Sequence, residues 1–128
     1  MTQRLSKSRF IAGVQCHKLL WWKVHEPDAK ELQADKALQD RFDQGNEFGE
    51  LARKRFPGGV LIDLPHHEER LAQTQEARSE RAPSVFEATF VEKNTFVAVD
   101  VLERLPQGFH LIEVKASTKQ KPEHIPDV

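Results

Sequence analysis

Cysteine, long apolar runs and a strong net charge are all missing from this chain. Cys16 is the single cysteine, which excludes a disulfide bond within the chain. The longest apolar stretch, around Leu19 to Trp22, is far shorter than the roughly 20 residues needed to cross a bilayer. Because residues 1–9 are polar, we expect no signal peptide, a cytoplasmic location and no membrane partner. The net charge of −1 gives no global signal for nucleic acid, so any such affinity must come from local basic patches.

The composition is that of a small folded domain. Apolar residues make up 38% of the 128 residues and charged residues 30%, which is typical of a globular rather than a disordered chain. We therefore expect one domain that spans residues 1–128.

Apolar periodicity predicts three helices before the last third of the chain. The first covers about Ser6 to Val24, the second runs from about Leu38 to Phe56, and a polar third helix covers His67 to Arg81. Val60 to Leu64 is predicted as a short strand. The expected fold class is therefore α/β (α+β), with helices packed on a sheet.

The last third of the chain alternates with the period of β-strands in three segments, Ser84–Val91, Thr95–Leu105 and Gly108–Ser117. Turn signals at Lys93-Asn94 and Pro106-Gln107 separate these segments, which predicts a mainly antiparallel three-stranded meander. If residue 92 pairs with 95 and residue 105 with 108, Glu87 lies opposite Asp100 and Asp100 lies opposite Glu113. A bulge or an odd-numbered loop would shift this register.

This register places an almost wholly apolar surface on the opposite side of the sheet: Phe86, Ala88, Phe90, Val97, Val99, Val101, His110, Ile112 and Val114. Such a surface is suited to face a core. The segments around Asp100 and Glu113 are too apolar for edge strands, so both acids are predicted to lie in central strands.

Three acids in one row need compensation. Directly opposed like charges destabilise a sheet, and a divalent cation would relieve them most directly. Lys115, two residues after Glu113, is predicted to face the same side. An ordinary solvated sheet face, without any metal, is the alternative.

The second predicted helix is a source of a fourth carboxylate. Gly45 and Gly49 lie one turn apart, which would allow this helix to approach the sheet closely. Glu50 would then add its carboxylate to the acid row. A surface ion pair between Glu50 and Lys54 is the alternative.

The acids and the lysine match a known pattern. Asp100, a gap of twelve residues and then Glu113-Val114-Lys115 resemble the Asp…(Asp/Glu)-x-Lys signature of the PD-(D/E)XK nuclease superfamily, in particular its RecB-like branch. Further segments look like the same branch in the same order: Leu5 to Phe10, Gln15 to Trp21, Gly45 to Leu51 and Lys121 to His124. The resemblance implies a restriction-endonuclease-like core.

The resemblance also implies an activity: Mg²⁺- or Mn²⁺-dependent hydrolysis of nucleic acid. DNA is the expected substrate, and RNA is the alternative. Asp100 and Glu113 would hold the metal, and the Val114 carbonyl, Glu87 and Glu50 would complete its shell. Lys115 would position or help to deprotonate the attacking water. Lys119 or Lys121 would bind the scissile phosphate.

The chain departs from the RecB-like pattern at several points. Gly49 stands where these enzymes usually place a histidine ligand, and Cys16 alone cannot hold the four-cysteine iron-sulfur cluster of some members. After Ser117 the chain offers no second core helix, so the core is apparently truncated there. A longer chain or a second copy in a homo-oligomer would have to complete it. The alternative function is a degenerate nuclease-like module that binds nucleic acid or a protein partner.

Overall fold

Helices and a mixed sheet make up the protein, which confirms the mixed helix and strand class. The computed structural model describes residues 4–128. Their strands are β1 (Leu5–Ser6), β2 (Val60–Leu61), β3 (Ser84–Glu92), β4 (Thr95–Leu105) and β5 (Gly108–Ile112). Their α-helices are α1 (Lys7–Gln15), α2 (His17–His25), α3 (Lys36–Arg53) and α4 (His67–Ser79), with 3-10 helices at Lys30–Leu32 and Pro122–Asp127. Among these residues, no helix combines the length and apolar character that a bilayer crossing requires.

The predicted first helix is two helices. The Ser6 side chain caps α1 by accepting a hydrogen bond from the Arg9 backbone N–H at 3.2 Å. The helix then ends at Cys16, whose backbone is extended (φ −164°, ψ 120°), and α2 begins at the next residue. A Cβ atom at Gly13 would lie 3.0 Å from Leu20 Cδ2, so the small residue allows the two helices to pack closely.

The meander has the predicted register. Glu92 pairs with Thr95 and Leu105 pairs with Gly108, and both pairings are antiparallel. β4 is central, because it also pairs in parallel with the short β1, while β2 pairs in parallel with β3. β5 pairs with β4 on one side only and ends at Ile112. The prediction that the Glu113 segment is a central strand is therefore wrong.

The core lies between the sheet and α4. Its buried apolar residues are Ile62, Ala77, Val85, Ala88 and Leu102. Two buried threonines join the layers, since the Thr89 backbone N–H donates to the Thr74 hydroxyl at 3.0 Å and this hydroxyl donates to the Arg70 carbonyl at 2.8 Å. The hydrogen bonds satisfy polar groups that burial would otherwise penalise.

The pleat of the sheet is interrupted at Glu87, which has a φ of +57°. Val85 before this point and Ala88 after it belong to the same core cluster, although strict alternation would place them on opposite faces. Phe86 packs instead against the Phe56 ring, with the ring centroids 6.4 Å apart. The prediction that Phe86 faces the same side of the sheet as Ala88 is therefore wrong. The left-handed backbone at Glu87 reverses the alternation for the residues of β3 that precede it.

Candidate functional site

A cavity of about 460 Å³ lies between α3 and the middle of β3 and β4. Its lining residues are Gly45, Asn46, Gly49, Glu50, Arg53, Glu87, Asp100, Val101 and Val114. A Cβ atom at Gly45 would meet nothing within 4 Å, and one at Gly49 would meet only the Arg53 guanidinium at 3.8 Å. The prediction that these glycines allow α3 to pack closely on the sheet is therefore wrong, because a cavity separates the two. Glu50 lines the cavity, and no ion pair joins it to Lys54 within residues 4–128.

Asp100 is fixed by the backbone that follows β5. One of its carboxylate oxygens (Oδ2) accepts a hydrogen bond from the Val114 N–H at 2.7 Å. Burial raises the pKa of Asp100 above its ordinary value of 3.8, the Val114 hydrogen bond opposes the rise, and the charge of Glu113 adds to it. The charges of Lys7 and Lys115 lower this pKa, so the ionised form of Asp100 is oriented and partly compensated.

Glu87 and Asp100 lie between the ladder pairs Phe86–Val101 and Ala88–Val99, and Glu87 lines the same cavity as Asp100. Burial raises its pKa above the ordinary value of 4.5, and the negative charge of Asp100 raises it further. Arg70 and Arg53 offset part of this effect, and the Arg70 Nη2 atom lies 3.7 Å from Glu87 Oε2. Two half-buried carboxylates therefore repel each other at one cavity.

Glu113 has different neighbours. Its Oε2 atom lies 2.7 Å from Lys7 Nζ and its Oε1 atom lies 2.9 Å from Lys115 Nζ. Asp127 joins the same two lysines, through a contact of its Oδ2 atom with Lys115 and a distance of 3.4 Å from Oδ1 to Lys7 Nζ. These four side chains, Lys7, Glu113, Lys115 and Asp127, form what we call the lysine cluster.

Opposite charges shift the pKa values in the lysine cluster. Burial lowers the pKa of Lys115, but hydrogen bonds to Asp127 and Glu113 together hold it above the ordinary 10.5. Burial raises the pKa of Asp127, but the Lys115 hydrogen bond and the charge of Lys7 together hold it below 3.8. The cluster is therefore internally neutralised, unlike the Glu87 and Asp100 pair.

The structure does not bring the three predicted acids together. Glu113 and Lys115 line a second cavity of about 400 Å³ together with Lys119, whereas exposed Lys121 precedes the last 3-10 helix. Among residues 4–128, no group of three or more His, Cys, Asp and Glu side chains is arranged to hold a metal ion. The physical reason is that β5 ends before Glu113, so the lysines rather than the ladder fix its carboxylate.

Sequence reasoning missed Asp127 as a site residue, and it considered Lys7 only as one of several N-terminal basic residues that could meet phosphates, not as a partner of Glu113. Lys7 reaches Glu113, 106 positions later, because β1 pairs with the start of β4. Asp127 lies in a segment without a family motif or a periodic pattern. Nothing local in the sequence indicates either contact.

Glu87 and Asp100 nevertheless supply the type of oxygen donor that a hydrated divalent cation takes. Mg²⁺ is commonly bound through one or two carboxylates and keeps several of its waters, so a third protein acid is not required. A cation would also relieve the repulsion that burial leaves between the two carboxylates. Val114 lines the same cavity, and Glu50 lies at its α3 wall.

Comparisons with protein-family models, with curated proteins and with solved structures gave no match for this chain. The resemblance to the nuclease superfamily therefore rests on the sequence motif and the accompanying segments.

Proposed function

We propose that this domain is a Mg²⁺- or Mn²⁺-dependent phosphodiesterase that acts on nucleic acid, DNA rather than RNA, from a restriction-endonuclease-like core. The observation that carries the proposal is the shared cavity of Glu87 and Asp100, with the Glu113-Val114-Lys115 segment bonded to Asp100 through Val114. The Asp and the (Asp/Glu)-x-Lys parts of the signature are thus joined by a 2.7 Å hydrogen bond.

Each residue of the signature has a defined task in this proposal. Asp100 and Glu87 would hold the metal ion, whose chemistry is to activate water and to neutralise charge on the phosphate. The Val114 N–H orients the Asp100 carboxylate, and Glu113 positions Lys115 through the 2.9 Å contact. Lys115 stays protonated because of its raised pKa, so it stabilises negative charge rather than acting as a base at neutral pH.

Phosphate binding would extend from this site toward the second cavity. Lys119 lines that cavity next to Lys115, which suits it to contact the scissile phosphate or its neighbour. Lys121 is exposed two residues further on. Both lysines would contribute to affinity without reading base sequence.

One observation favours the degenerate binding module as the second candidate. Lys115 contacts Glu113 and Asp127 within the lysine cluster. Neither Lys115 nor Glu113 is therefore dedicated to the cavity that Asp100 lines. A protein that has lost turnover could keep this arrangement and still bind nucleic acid.

Calorimetric titration with Mn²⁺ tests the proposal. We expect saturable binding that disappears in Asp100→Asn, which keeps an acceptor for Val114 but loses the charge. Glu92→Gln, at the exposed end of β3, is the matched control and should bind as the original chain does. Binding that persists in Asp100→Asn would exclude the proposed metal centre.

Cleavage separates the enzyme from the degenerate module. Lys115→Ala should keep Mn²⁺ binding and abolish cutting of single-stranded and duplex DNA. Metal binding without cutting by the unaltered chain would favour the degenerate module, and cutting by Lys115→Ala would remove Lys115 from the mechanism.

A further inference from the structure

We infer that Lys7 and Lys115 form a phosphate-binding subsite that Asp127 occupies in this structure, so that nucleic acid must displace the 122–127 segment to bind there. The identity of the ligand as a nucleic-acid phosphate rests on the proposed function. The subsite itself rests on the geometry of the lysine cluster.

The Asp127 carboxylate is placed as a phosphate would be. Its Oδ2 atom contacts Lys115 Nζ and its Oδ1 atom lies 3.4 Å from Lys7 Nζ, so each lysine meets a different oxygen of one anion. Two non-bridging oxygens of a phosphodiester can meet two lysines in the same manner. The contact is therefore one that a backbone phosphate can replace.

The charges of the cluster also favour replacement. Two lysines and Glu113 leave a net charge of one positive unit, and Asp127 balances it. A nucleic-acid phosphate carries one negative charge, so it would restore the same balance. Glu113 stays between the lysines in either case and holds both ammonium groups near the subsite.

The 122–127 segment is weakly anchored. None of its residues is buried, and the Ile125 side chain is 65% exposed. Two hydrogen bonds between Lys121 and His124, from the Lys121 N–H to His124 Nδ1 at 3.2 Å and from the His124 N–H to the Lys121 carbonyl at 3.0 Å, lie within the segment and its cap rather than reaching the rest of the domain. Displacement therefore sacrifices the two contacts of Asp127 and the packing of the segment against α1, and it removes the wall that His124 and Ile125 contribute to the cavity lined by Lys115 and Lys119.

Fluorescence anisotropy with a labelled oligo-dT strand in EDTA at fixed salt tests this inference on the full 128-residue chain. Asp127→Asn should bind about tenfold more tightly, since it frees a charge-assisted contact for the phosphate. Glu123→Gln is the matched control, because it removes the same charge from an exposed position of the same segment. It should leave the Kd close to that of the unaltered chain.

A second variant distinguishes a specific subsite from general electrostatics. Lys7→Gln added to Asp127→Asn should abolish the gain in affinity. Any of four results would overturn the inference. These are equal gains in affinity for Asp127→Asn and Glu123→Gln, no gain in affinity for Asp127→Asn, a gain that persists when Lys7→Gln is added, and no binding by any variant.

The outcome is independent of the metal centre. EDTA removes divalent cations, so the anisotropy assay does not require Asp100 to bind metal. If the chain binds Mn²⁺ but Asp127→Asn shows no gain in affinity, the inference fails and the proposed function stands. If the chain does not bind Mn²⁺ but Asp127→Asn still shows the gain, the nuclease proposal fails and the anion subsite remains.

Discussion

Glu87 and Asp100 on one hand, and Glu113 and Asp127 on the other, differ in how far neighbouring cations compensate their carboxylates. Glu87 and Asp100 share a cavity, and their pKa values are raised by burial and then by negative neighbours. Glu113 and Asp127 each contact two lysines, and the pKa of Asp127 is held below its ordinary value. The second pair is distinguished by contacts of each acid with two lysines, whereas in the first pair Glu87 has one arginine at 3.7 Å.

This difference indicates two kinds of ligand. The Glu87 and Asp100 pair, whose charges are only partly compensated, would attract a cation, because burial and mutual repulsion disfavour ionisation of both carboxylates. The compensated pair contains an anion that another anion can exchange with. Under the proposed function, a phosphodiester would meet a metal ion at Glu87 and Asp100 and the ammonium groups of Lys7 and Lys115, and both kinds of positive charge stabilise the transition state of phosphoryl transfer.

The largest effect on stability is expected at the Asp100 hydrogen bond. Asp100→Ala leaves the part-buried Val114 N–H without its acceptor, which should lower the free energy of unfolding by about 1–2 kcal/mol relative to Asp100→Asn. Both variants remove the repulsion with Glu87, so their difference isolates the hydrogen bond. Urea unfolding in EDTA measures it. Equal stabilities would show that Val114 does not depend on Asp100.

A smaller effect is expected from the lysine cluster. Lys7→Gln removes the 2.7 Å contact with Glu113, whose side chain is only 14% exposed, and Lys115 still compensates this acid. The free energy of unfolding should fall by about 0.5–1 kcal/mol in urea unfolding at neutral pH. Lys119→Gln, at an exposed position, is the control and should change it by less. An unchanged value for Lys7→Gln would mean that the cluster does not stabilise the fold.

The register of the meander could be predicted because its turn lengths fix it. Glu92 and Thr95, and then Leu105 and Gly108, close turns whose residues are visible in the sequence. The reversal of the pleat at Glu87 could not be predicted, because a left-handed glutamate has no pattern of its own.

The sequence predicted the positions of the site residues that lie within paired strands, but not of those beyond the end of β5. Asp100 and Glu87 were placed by the ladder, but Glu113 lies beyond the end of β5 and follows the lysines instead. The Lys7 contact depends on pairing between strands almost the whole chain apart. The break at Cys16 also has no local signal, since no glycine or proline stands at that position.

The smallest expected effect is on the pH dependence of the free energy of unfolding, and it tests whether the pKa of Asp127 is shifted in the opposite direction to those of Glu87 and Asp100. The pKa of Asp127 is lower in the folded state, so its ionised form contributes stability that is present above 3.8 and is lost as the pH falls through the folded pKa. The gap in unfolding free energy between the original chain and Asp127→Asn should therefore close toward acid pH. Glu123→Gln should show a gap that varies less over the same range.

Glu87 and Asp100 act with the opposite sign in metal-free protein, because their folded pKa values are raised and their contribution to stability falls as the pH rises. The pH profile of the free energy of unfolding contains contributions from both pairs of carboxylates. The difference between a variant and the original chain isolates the contribution of the residue that was changed. Urea unfolding in EDTA at several pH values measures that difference. A gap for Asp127→Asn that widens toward acid pH would show that its ionised form is not stabilised by the lysines, and the contrast between the two pairs would disappear.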